Sequence, residues 1–536
     1  MSFPLLFDKI LENARLHPKK CVLINARDGH SVTYAELIDI VDCIYAWLAA
    51  KGVKPSDKII LAAARDFRFI YFYLALHKMA AVAVPIDPGI SVDRYKFIHE
   101  KVQPSLSLWP NAVMPKSTDL PDIAFLDKSM PSINLAKPDM LADIMFTSGT
   151  TGEPKGVLLT HSNLACAINN IIQFIGNTAD DIEICPMPLS HSFGIARLRC
   201  VLYAGGTYIL EDGIARPKHL FESMTRYKVT GLSMVGPVWN MLRKLSGNRI
   251  MQFRDQLRYM ELGSAPLTAQ VKKELAELLP NTRVCMHYGL TEASRATFLE
   301  FHDDEQHLDS VGKAAPLSEI AIYSESGKVC AAGVRGEICV HGGMVTSGYL
   351  DQEKNRDLFF ADGFFRTGDL GKLDANGYLT LDGRLKEIIN VGGEKVTPIE
   401  VESVINTFPG IADSACVGKF DEILGETVAA FLVLKNAEEP VDIPALRAYL
   451  SQKLEAFKVP KHYEVIKALP VTVTGKIQRA ALKQNLAKDV SSTKPAISQK
   501  AFDMALHYAE RAFKTEPYTK KYRDFYYELL RKKGTS

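Results

Sequence analysis

One eleven-residue stretch, residues 146–156, combines side chains and backbone suited to binding an anion. It reads FTSGTTGEPKG, with four hydroxyl residues, three glycines and a lysine. Glycines let backbone N–H groups approach phosphate oxygens closely, while hydroxyls and a cation add further donors. The spacing differs from the usual nucleotide P-loop, and the alternative is a polar hairpin turn. We predict a strand–loop–strand whose loop binds phosphate through Thr147, Ser148, Gly149, Thr150, Thr151, Gly152 and Lys155.

Three further segments could contribute to a site. Gly263-Ser264-Ala265 follows a predicted strand at 259–262, and Tyr288-Gly289-Leu290-Thr291-Glu292 follows one at 283–286. Because ligands bind at the carboxyl ends of parallel strands, both segments should border one crevice. The third segment, residues 189–194, interrupts the strand–helix pattern and contains His191.

Strands that alternate with helices must position these segments. Thr33-Tyr34-Ala35-Glu36 has the spacing of a capping box at the start of one helix. The alternation predicts a parallel sheet covered on both faces, and no residue before Thr147 indicates chemistry of its own. The predicted helices lie at 7–15, 33–51, 67–79 and 162–174, and the predicted strands at 21–25, 58–64 and 81–85.

The pattern changes twice towards the C-terminus. Strands and glycine turns predict a β-rich subdomain at about 312–383, and renewed α/β alternation predicts a C-terminal domain at 384–488. Residues 489–536 are predicted to form a polar linker and a helical extension. Its last helix mixes aromatic and basic residues. We favour packing on its own domain over binding a partner or a membrane surface.

Composition limits the class of protein. The 536 residues are 47% hydrophobic and 24% charged, as in globular chains of several domain-sized units. A formal net charge of +2 gives no drive towards nucleic acid. Nine cysteines without a Cys-x-x-Cys pair predict a reducing, cytoplasmic location. We see no signal peptide and no apolar run near the roughly 20 residues that span a bilayer.

The motifs together resemble the adenylate-forming superfamily, which includes acyl- and aryl-CoA synthetases, adenylation domains of nonribosomal peptide synthetases and beetle luciferases. The resemblance covers residues 1 to about 488. It implies an α/β fold: a large N-terminal domain of αβαβα-type subdomains plus the β-rich subdomain, and a small mobile α+β C-terminal domain. The motifs are residues 146–156, Tyr288-Gly289-Leu290-Thr291-Glu292, Arg366-Thr367-Gly368-Asp369-Leu370, Gly383-Arg384-Leu385-Lys386-Glu387 and Thr474-Gly475-Lys476.

The resemblance implies that ATP and Mg²⁺ activate a carboxylic acid, with loss of pyrophosphate. Thr147 and Glu292 would supply oxygen ligands to Mg²⁺. Tyr288 would face adenine, and Asp369 would accept the ribose hydroxyls. Lys476 would bridge the attacking carboxylate and the α-phosphate as a point charge. The implied ATP-binding set is the phosphate loop with Gly263, Ser264, Ala265, Tyr288, Gly289, Thr291, Glu292, Asp369, Arg384 and Lys476.

A second half-reaction is also implied, in which a thiol attacks the acyl-adenylate. In the superfamily it follows rotation of the C-terminal domain about a hinge residue, which corresponds here to Lys386. Rotation would replace Lys476 with Gly392 and Gly393, whose lack of side chains leaves room for a pantetheine arm. The thiol would be CoA or the phosphopantetheine of an acyl carrier protein.

The acid is predicted less sharply. Amino-acid-activating relatives have an aspartate where this chain has Ser192, so an α-amino acid is disfavoured. His191 matches the histidine of relatives that activate other carboxylic acids, where it lies beside the reacting carboxylate, so the resemblance implies a catalytic role for His191 beside those of Lys476 and the hinge residue Lys386. His191 could instead be a structural histidine of the core. An aromatic or medium-chain acid is favoured, and a ring at His287 would shorten its pocket or bind a polar substituent. The substrate set is His191, Ser192, Phe193, Ala196, Trp239, Met260, Leu262, His287 and Arg295.

Three other functions stay open at this point. A stand-alone adenylation enzyme would load a carrier protein and would use the same tunnel for the thiol. A luciferase-like adenylate oxidase shares the sequence around His191. A non-catalytic scaffold would use the C-terminal extension to recruit a partner, but the intact motif residues argue against it.

Overall fold

The computed structural model describes residues 3–126, 132–148, 154–211, 217–263, 267–421, 423–436, 439–472 and 475–489. Gly149, Thr150, Thr151, Gly152, Ser264 and Ala265 lie outside them, as do the side chain of Ser148 and the predicted helices of the extension. The α-helices are α1 (Leu6–Leu16), α2 (Tyr34–Ala50), α3 (Phe67–Met79), α4 (Val92–Val102), α5 (His161–Ile175), α6 (Ser192–Ala204), α7 (Pro217–Tyr227), α8 (Gly236–Ser246), α9 (Ala269–Leu278), α10 (Pro398–Ile405), α11 (Ile443–Lys453) and α12 (Arg479–Asp489).

The strands are short, and most contain β-branched or aliphatic residues. They are β1 (Cys21–Asn25), β2 (Ser31–Thr33), β3 (Lys58–Ala62), β4 (Val82–Ile86), β5 (Leu106–Trp109), β6 (Thr118–Asp119), β7 (Leu141–Ser148), β8 (Pro154–Thr160), β9 (Ile182–Ile184), β10 (Thr207–Leu210), β11 (Gly231–Val235), β12 (Tyr259–Gly263), β13 (Arg283–Tyr288), β14 (Thr297–Glu300), β15 (Lys313–Ala314), β16 (Glu319–Tyr323), β17 (Gly336–His341), β18 (Gly348–Tyr349), β19 (Phe365–Leu373), β20 (Leu379–Arg384), β21 (Ile389–Val391), β22 (Glu394–Val396), β23 (Ile411–Asp421), β24 (Gly425–Leu434) and β25 (His462–Val465).

Two large sheets organise the N-terminal part. The first has the strand order β15-β14-β13-β12-β11-β9-β10-β1-β2, and its central strands run parallel. The second has the order β18-β8-β7-β4-β3-β5-β6 and is parallel from β7 to β6. The predicted parallel pairing of the strands before Gly263 and Tyr288 is confirmed.

Helices α5 and α6 lie between the two sheets. Helix α5 packs on β7 and β8, α6 packs on β10, and the two helices pack on each other. The layers therefore alternate as the αβαβα arrangement predicts. Local sequence defines where helices begin: the predicted capping box at Thr33 is present, and Thr160 with Asn163 forms another at the start of α5.

The chain divides into two compact units, residues 1–367 with 372–380, and residues 368–371 with those from 381 on. The predicted boundary at 383/384 lies inside β20. Strands β16, β17, β19 and β20 form a four-stranded sheet, and β19 and β20 carry residues of both units. The C-terminal unit has the sheet order β22-β21-β24-β23 with β25 parallel to β24, and α10 and α12 pack on β23. The predicted fold class, a large N-terminal and a smaller α+β C-terminal part, is confirmed.

Candidate active site

Strands β7 and β8 are the two arms of the predicted strand–loop–strand, which is confirmed on both sides of the phosphate loop. They pair antiparallel, with Thr147 opposite Lys155. Strand β18 pairs with β8 beside this point, so that Tyr349 lies opposite Val157. The Lys155 Nζ atom lies 5.1 Å from the centroid of the Tyr349 ring. The pairing therefore fixes the cation of the loop above an aromatic face.

Tyr349 also links this cation to the predicted metal ligand. Its hydroxyl donates to Glu292 Oε1 at 2.7 Å, and both side chains are buried. The backbone N–H of Thr346 donates to the Glu292 carbonyl at 2.8 Å. Two predicted site residues thus share one neighbour, Tyr349, that sequence reasoning missed. A single tyrosine in a two-residue strand gives no signal from which to find it.

The predicted Mg²⁺ site can be tested against its donors. Glu292 offers a carboxylate and Thr147 a hydroxyl, and oxygen ligands of this kind suit a hard cation. Across the described residues, no group of three or more His, Cys, Asp or Glu side chains could hold a metal ion. One carboxylate and one hydroxyl fit an ion that takes its remaining ligands from a nucleotide's phosphates and water, as Mg²⁺ prefers.

The turn after β13 joins the nucleotide motif to the predicted acyl site. Leu290 and Ala293 exchange backbone hydrogen bonds of 3.0 and 3.2 Å across it. The Thr291 hydroxyl donates to the Ser192 hydroxyl at 3.2 Å, at the first residue of α6. His191 lies just before α6 as its N-cap and is half-buried. The structure thus brings Thr291 together with Ser192.

On one side of α6, His287 fills the space that a larger residue at 263 would need. A Cβ built on Gly263 would lie 2.1 Å from the imidazole ring, so that only glycine fits there. The ring stacks on Phe193 with centroids 5.2 Å apart, and the Arg295 guanidinium lies 4.8 Å from the Phe193 ring centroid. Arg295 has φ of 54°, a strained conformation for a residue with a side chain. Three predicted substrate residues are therefore packed against each other.

Glu261 holds this group together and was not predicted. His287 Nδ1 lies 2.7 Å from its Oε1, and Arg295 Nε donates to the same oxygen at 3.1 Å. Arg197 Nη1 lies 3.3 Å from Glu261 Oε2, and the Arg197 guanidinium also binds Glu183. Burial raises the pKa of Glu261, but the arginines outweigh it and hold the pKa well below its usual range. Burial, reinforced by Arg295, lowers the pKa of His287 to about 4, so the imidazole is neutral at pH 7.

On the other side of α6, Ser192 and Ala196 line a cavity of about 20 Å³. Thr291 reaches it from the nucleotide motif, and Arg199 from further along α6. Its apolar lining comes mostly from α5, β7 and β8: Met145, Leu159, Leu164, Ala167, Ile168 and Ile171. The cavity therefore begins at the predicted acyl site and continues along an apolar helix face.

The remaining predicted substrate residues do not join these surfaces. Met260 and Leu262 alternate along β12 with Glu261, so they face the opposite side of the sheet from His287. Both are fully buried. Trp239 is buried on α8, and its part in a pocket stays a prediction.

Within the C-terminal unit, Asp369, predicted to bind the ribose, forms an ion pair with Arg384, predicted to reach the ribose or phosphate. Arg384 Nε lies 2.8 Å from Asp369 Oδ1. Lys386 is exposed in the 3₁₀ turn Leu385–Glu387. Gly392 and Gly393 form the turn between β21 and β22, with φ of 62° and 99°, which residues with side chains rarely adopt. Lys476 is exposed, in the segment before α12.

Comparison with known proteins agrees with this geometry. The medium-chain fatty-acid–CoA ligase of Escherichia coli K12 is 29% identical over 518 residues, which cover 90% of each chain. ATP-bound MatB from Rhodopseudomonas palustris superposes with a TM-score of 0.83 at 28% identity, over 90% of this chain and 99% of that one. The o-succinylbenzoate-CoA synthetase of Bacillus subtilis, bound to its acyl-adenylate, superposes with a TM-score of 0.80 at 27% identity. The match covers 93% of this chain and 100% of that one.

The described helices include none that is both long and apolar enough to cross a membrane.

Two family matches cover most of the chain. Residues 10–350 match the AMP-binding enzyme family, and residues 400–476 match the AMP-binding enzyme C-terminal domain. The first match alone spans more than half of the 536 residues. The chain therefore belongs to the AMP-binding enzyme family.

Proposed function

We propose that this chain is an ATP-dependent acid–CoA ligase with two half-reactions. In the first, a carboxylate oxygen bonds to the α-phosphorus of ATP, the bond to the bridging oxygen breaks, and pyrophosphate leaves. In the second, the CoA thiolate bonds to the acyl carbon, the bond to the AMP oxygen breaks, and AMP leaves. Both reactants of the first step are anions, so cations must offset their repulsion.

The observation that carries this proposal is the linkage of Lys155 and Glu292 through Tyr349. The Tyr349 ring contacts the ammonium of Lys155, which would bind phosphate, and the Tyr349 hydroxyl contacts the buried carboxylate of Glu292, which would bind a metal ion. In this role Lys155 binds the departing pyrophosphate, and Thr147, opposite it on β7, adds a hydroxyl. Glu292 and Thr147 would hold Mg²⁺, which when bound supplies charge neutralisation to the phosphates.

The cavity between α5 and α6 supports a medium-chain acid over an aromatic one. Ser192 and Ala196 border it where the acyl group would enter, and the walls beyond are apolar. At about 20 Å³ it holds little more than one water molecule, so a tail must displace side chains. Met145 and Met344 line it and are flexible enough to move. On the neighbouring side of α6, that of Phe193, the space is taken up by packed rings and paired charges.

The acceptor thiol is proposed to be that of CoA, because the relatives at about 29% identity are CoA ligases. Gly392 and Gly393 are proposed to border the pantetheine arm, and Lys476 to serve the first half-reaction. A carrier protein as acceptor and a cytoplasmic location stay predictions from the sequence.

The decisive experiment is acid-dependent exchange of labelled pyrophosphate into ATP. A panel should contain aliphatic acids of two to twelve carbons, aromatic acids and free amino acids. We expect the fastest exchange with medium-chain acids, followed by thioester formation with CoA. Preference for amino acids would contradict the acyl assignment, and no exchange with any acid would contradict the function. Comparing CoA with a holo carrier protein identifies the acceptor.

A further inference from the structure

Lys476 lies on a hairpin whose two arms hydrogen-bond to each other. Val471 and Ile477 form an antiparallel bridge. The Thr472 N–H donates to the Lys476 carbonyl at 2.8 Å, and the Lys476 N–H donates to the Thr472 hydroxyl at 3.1 Å. These bonds hold the two described arms together. They do not by themselves fix the position of the hairpin on the rest of the C-terminal unit.

The base of the hairpin leads directly into α12. The Gln478 N–H donates to the Pro470 carbonyl at 2.8 Å, and its side-chain amide donates to the Val471 carbonyl at 2.8 Å. The next residue, Arg479, is the first of α12. Whatever holds Arg479 therefore holds the base of the hairpin, three residues from Lys476.

Arg479 is held from three directions. Its side chain is 11% exposed. Nε donates to Glu387 Oε2 at 3.0 Å, in the turn that also contains Lys386. Nη1 and Nη2 donate to the two oxygens of Glu402 on α10 at 2.5 and 3.0 Å, a bidentate pair. Nη1 also donates to the Cys416 carbonyl on β23 at 3.2 Å.

The two carboxylates that bind Arg479, Glu387 and Glu402, differ in burial and in their other contacts. Glu402 is buried, and it also accepts the Cys416 N–H at 2.6 Å, so it belongs to the interior of the unit. Glu387 is about one quarter exposed and binds Arg479 alone among the contacts described. Loss of Glu402 would leave a buried guanidinium without its main partner. Loss of Glu387 would remove only the link between the hairpin and the turn.

We propose that Arg479 is a positioning residue: through its ion pairs with Glu387 and Glu402, it fixes the position of the hairpin and therefore of Lys476. This inference rests on the proposed role of Lys476 in adenylate formation. An ammonium that bridges two reacting anions must lie within hydrogen-bond distance of both, and a displacement of about 1 Å costs on the order of 100-fold in rate. A bidentate guanidinium with a second carboxylate holds orientation as well as distance, which a lysine does not.

The test uses the full-length enzyme and separates the two half-reactions. Glu387→Ala and Arg479→Lys should slow adenylate formation from acid and ATP by about 10- to 100-fold. Thioester formation from supplied acyl-adenylate and CoA should stay within about twofold, because Lys476 serves only the first step. Lys483→Ala is the matched control. Lys483 lies on the same helix as Arg479, and the change removes only its solvent-exposed ion pair with Glu426 of β24, so neither step should change.

Two outcomes would overturn the inference. One is wild-type adenylate formation by Glu387→Ala and Arg479→Lys. The other is an equal loss of both half-reactions, since that would indicate general damage to the unit; a thermal scan of each variant identifies it. Lys476→Ala serves as reference. If it forms adenylate at the wild-type rate, the proposed role of Lys476 is wrong, whatever the other variants do.

Discussion

The two sides of α6 contact different kinds of residue, although both border the predicted acyl site. Phe193 and Arg197, four residues apart, face Glu261 and His287, where charges pair in a packed interior. Ser192 and Ala196, also four apart, face the cavity and the apolar side of α5. One helix therefore separates a packed, charge-paired region from a small apolar cavity, which is the proposed site of the acyl tail.

The difference shows what each side can contribute to specificity. Two arginines and two glutamates balance on the first side, and His287 is neutral, so no net charge is left to attract a substrate. Opening that side would expose the Glu261 carboxylate to the tail, at a large desolvation cost. On the cavity side, Arg199 is the one charged lining residue, and it pairs with Asp143 behind the cavity wall. We propose that chain length is set on the cavity side.

The largest effect should come from Glu261→Ala. It leaves Arg197 and Arg295 buried without one of their carboxylates, and breaking a buried pair costs about 3–5 kcal/mol. We expect that loss of stability in urea unfolding followed by tryptophan fluorescence. All three tryptophans, Trp47, Trp109 and Trp239, lie in the N-terminal unit and report on it alone.

The control for this prediction is Glu222→Ala on α7, whose pair with Lys218 is exposed on both sides. Such pairs contribute about 0–1 kcal/mol. A Glu261→Ala variant as stable as Glu222→Ala would show that the charged side does not support the fold, and the contrast between the two sides of α6 would fail.

Next in size is Ala196→Phe, which fills the cavity from its α6 wall. A phenyl ring occupies the space that a tail would use, so the kcat/KM ratio of the longest to the shortest acid should fall about 100-fold. The measurement is the same exchange assay, run across chain lengths. Ala204→Phe, at the other end of α6, is the matched control and should leave the ratio unchanged. A uniform loss with every acid would mean that the cavity does not bind the tail.

A third effect concerns acid sensitivity on the cavity side. His161 begins α5 and is buried, and burial lowers its pKa to about 3. Between pH 6.5 and 5 the unfolded chain takes up a proton at this residue and the folded chain does not. Stability should therefore fall as pH falls, by about 2 kcal/mol at pH 5 from this residue.

His161→Asn should reduce the slope of that part of the stability profile, whatever it does to stability at pH 7.5, and should leave the slope that the buried, neutral His287 contributes. Asp143, whose charge acts on His161, does not interfere in this window. Burial raises the pKa of Asp143, but Arg199 and His77 outweigh it and hold that pKa below its usual range, so Asp143 stays ionised until lower pH. Identical slopes for the variant and the wild type would contradict the assignment.

Many of the helices and strands could be predicted from the sequence, because each depends on a short stretch of neighbouring residues. The capping box at Thr33, the two strands around the phosphate loop and the parallel strands before Gly263 and Tyr288 all depend on residues within a few positions of each other. The nucleotide motifs are equally local. The structure adds that Lys155 and Glu292 share a neighbour, which required knowledge of how β18 pairs with β8.

The sequence indicates which charged residues are buried, but it does not indicate which residues they pair with. Asp143, Glu183 and Glu261 each interrupt an otherwise apolar strand, and a lone charge in a buried strand needs a partner. The arginines that pair with them lie on α6 and in the turn after β13, between 14 and 56 residues away. Only the tertiary fold determines which arginine reaches which carboxylate. For the same reason Met260 and Leu262 were grouped with His287, although strand alternation puts them on the other face.

The smallest effect, and the most specific, should come from Ile168→Ala on the α5 wall of the cavity. Removing three carbons deepens the space, so acids about two carbons longer than the wild-type optimum should gain roughly 10-fold in relative kcat/KM. Truncating a buried isoleucine also costs about 2–5 kcal/mol of stability, so the ratio between acids must be compared and not the absolute rate. Ile172→Ala, half-buried on the same helix and outside the cavity lining, should leave the ratio unchanged. If both variants shift the optimum equally, α5 affects the site through its general packing, and the cavity does not measure chain length.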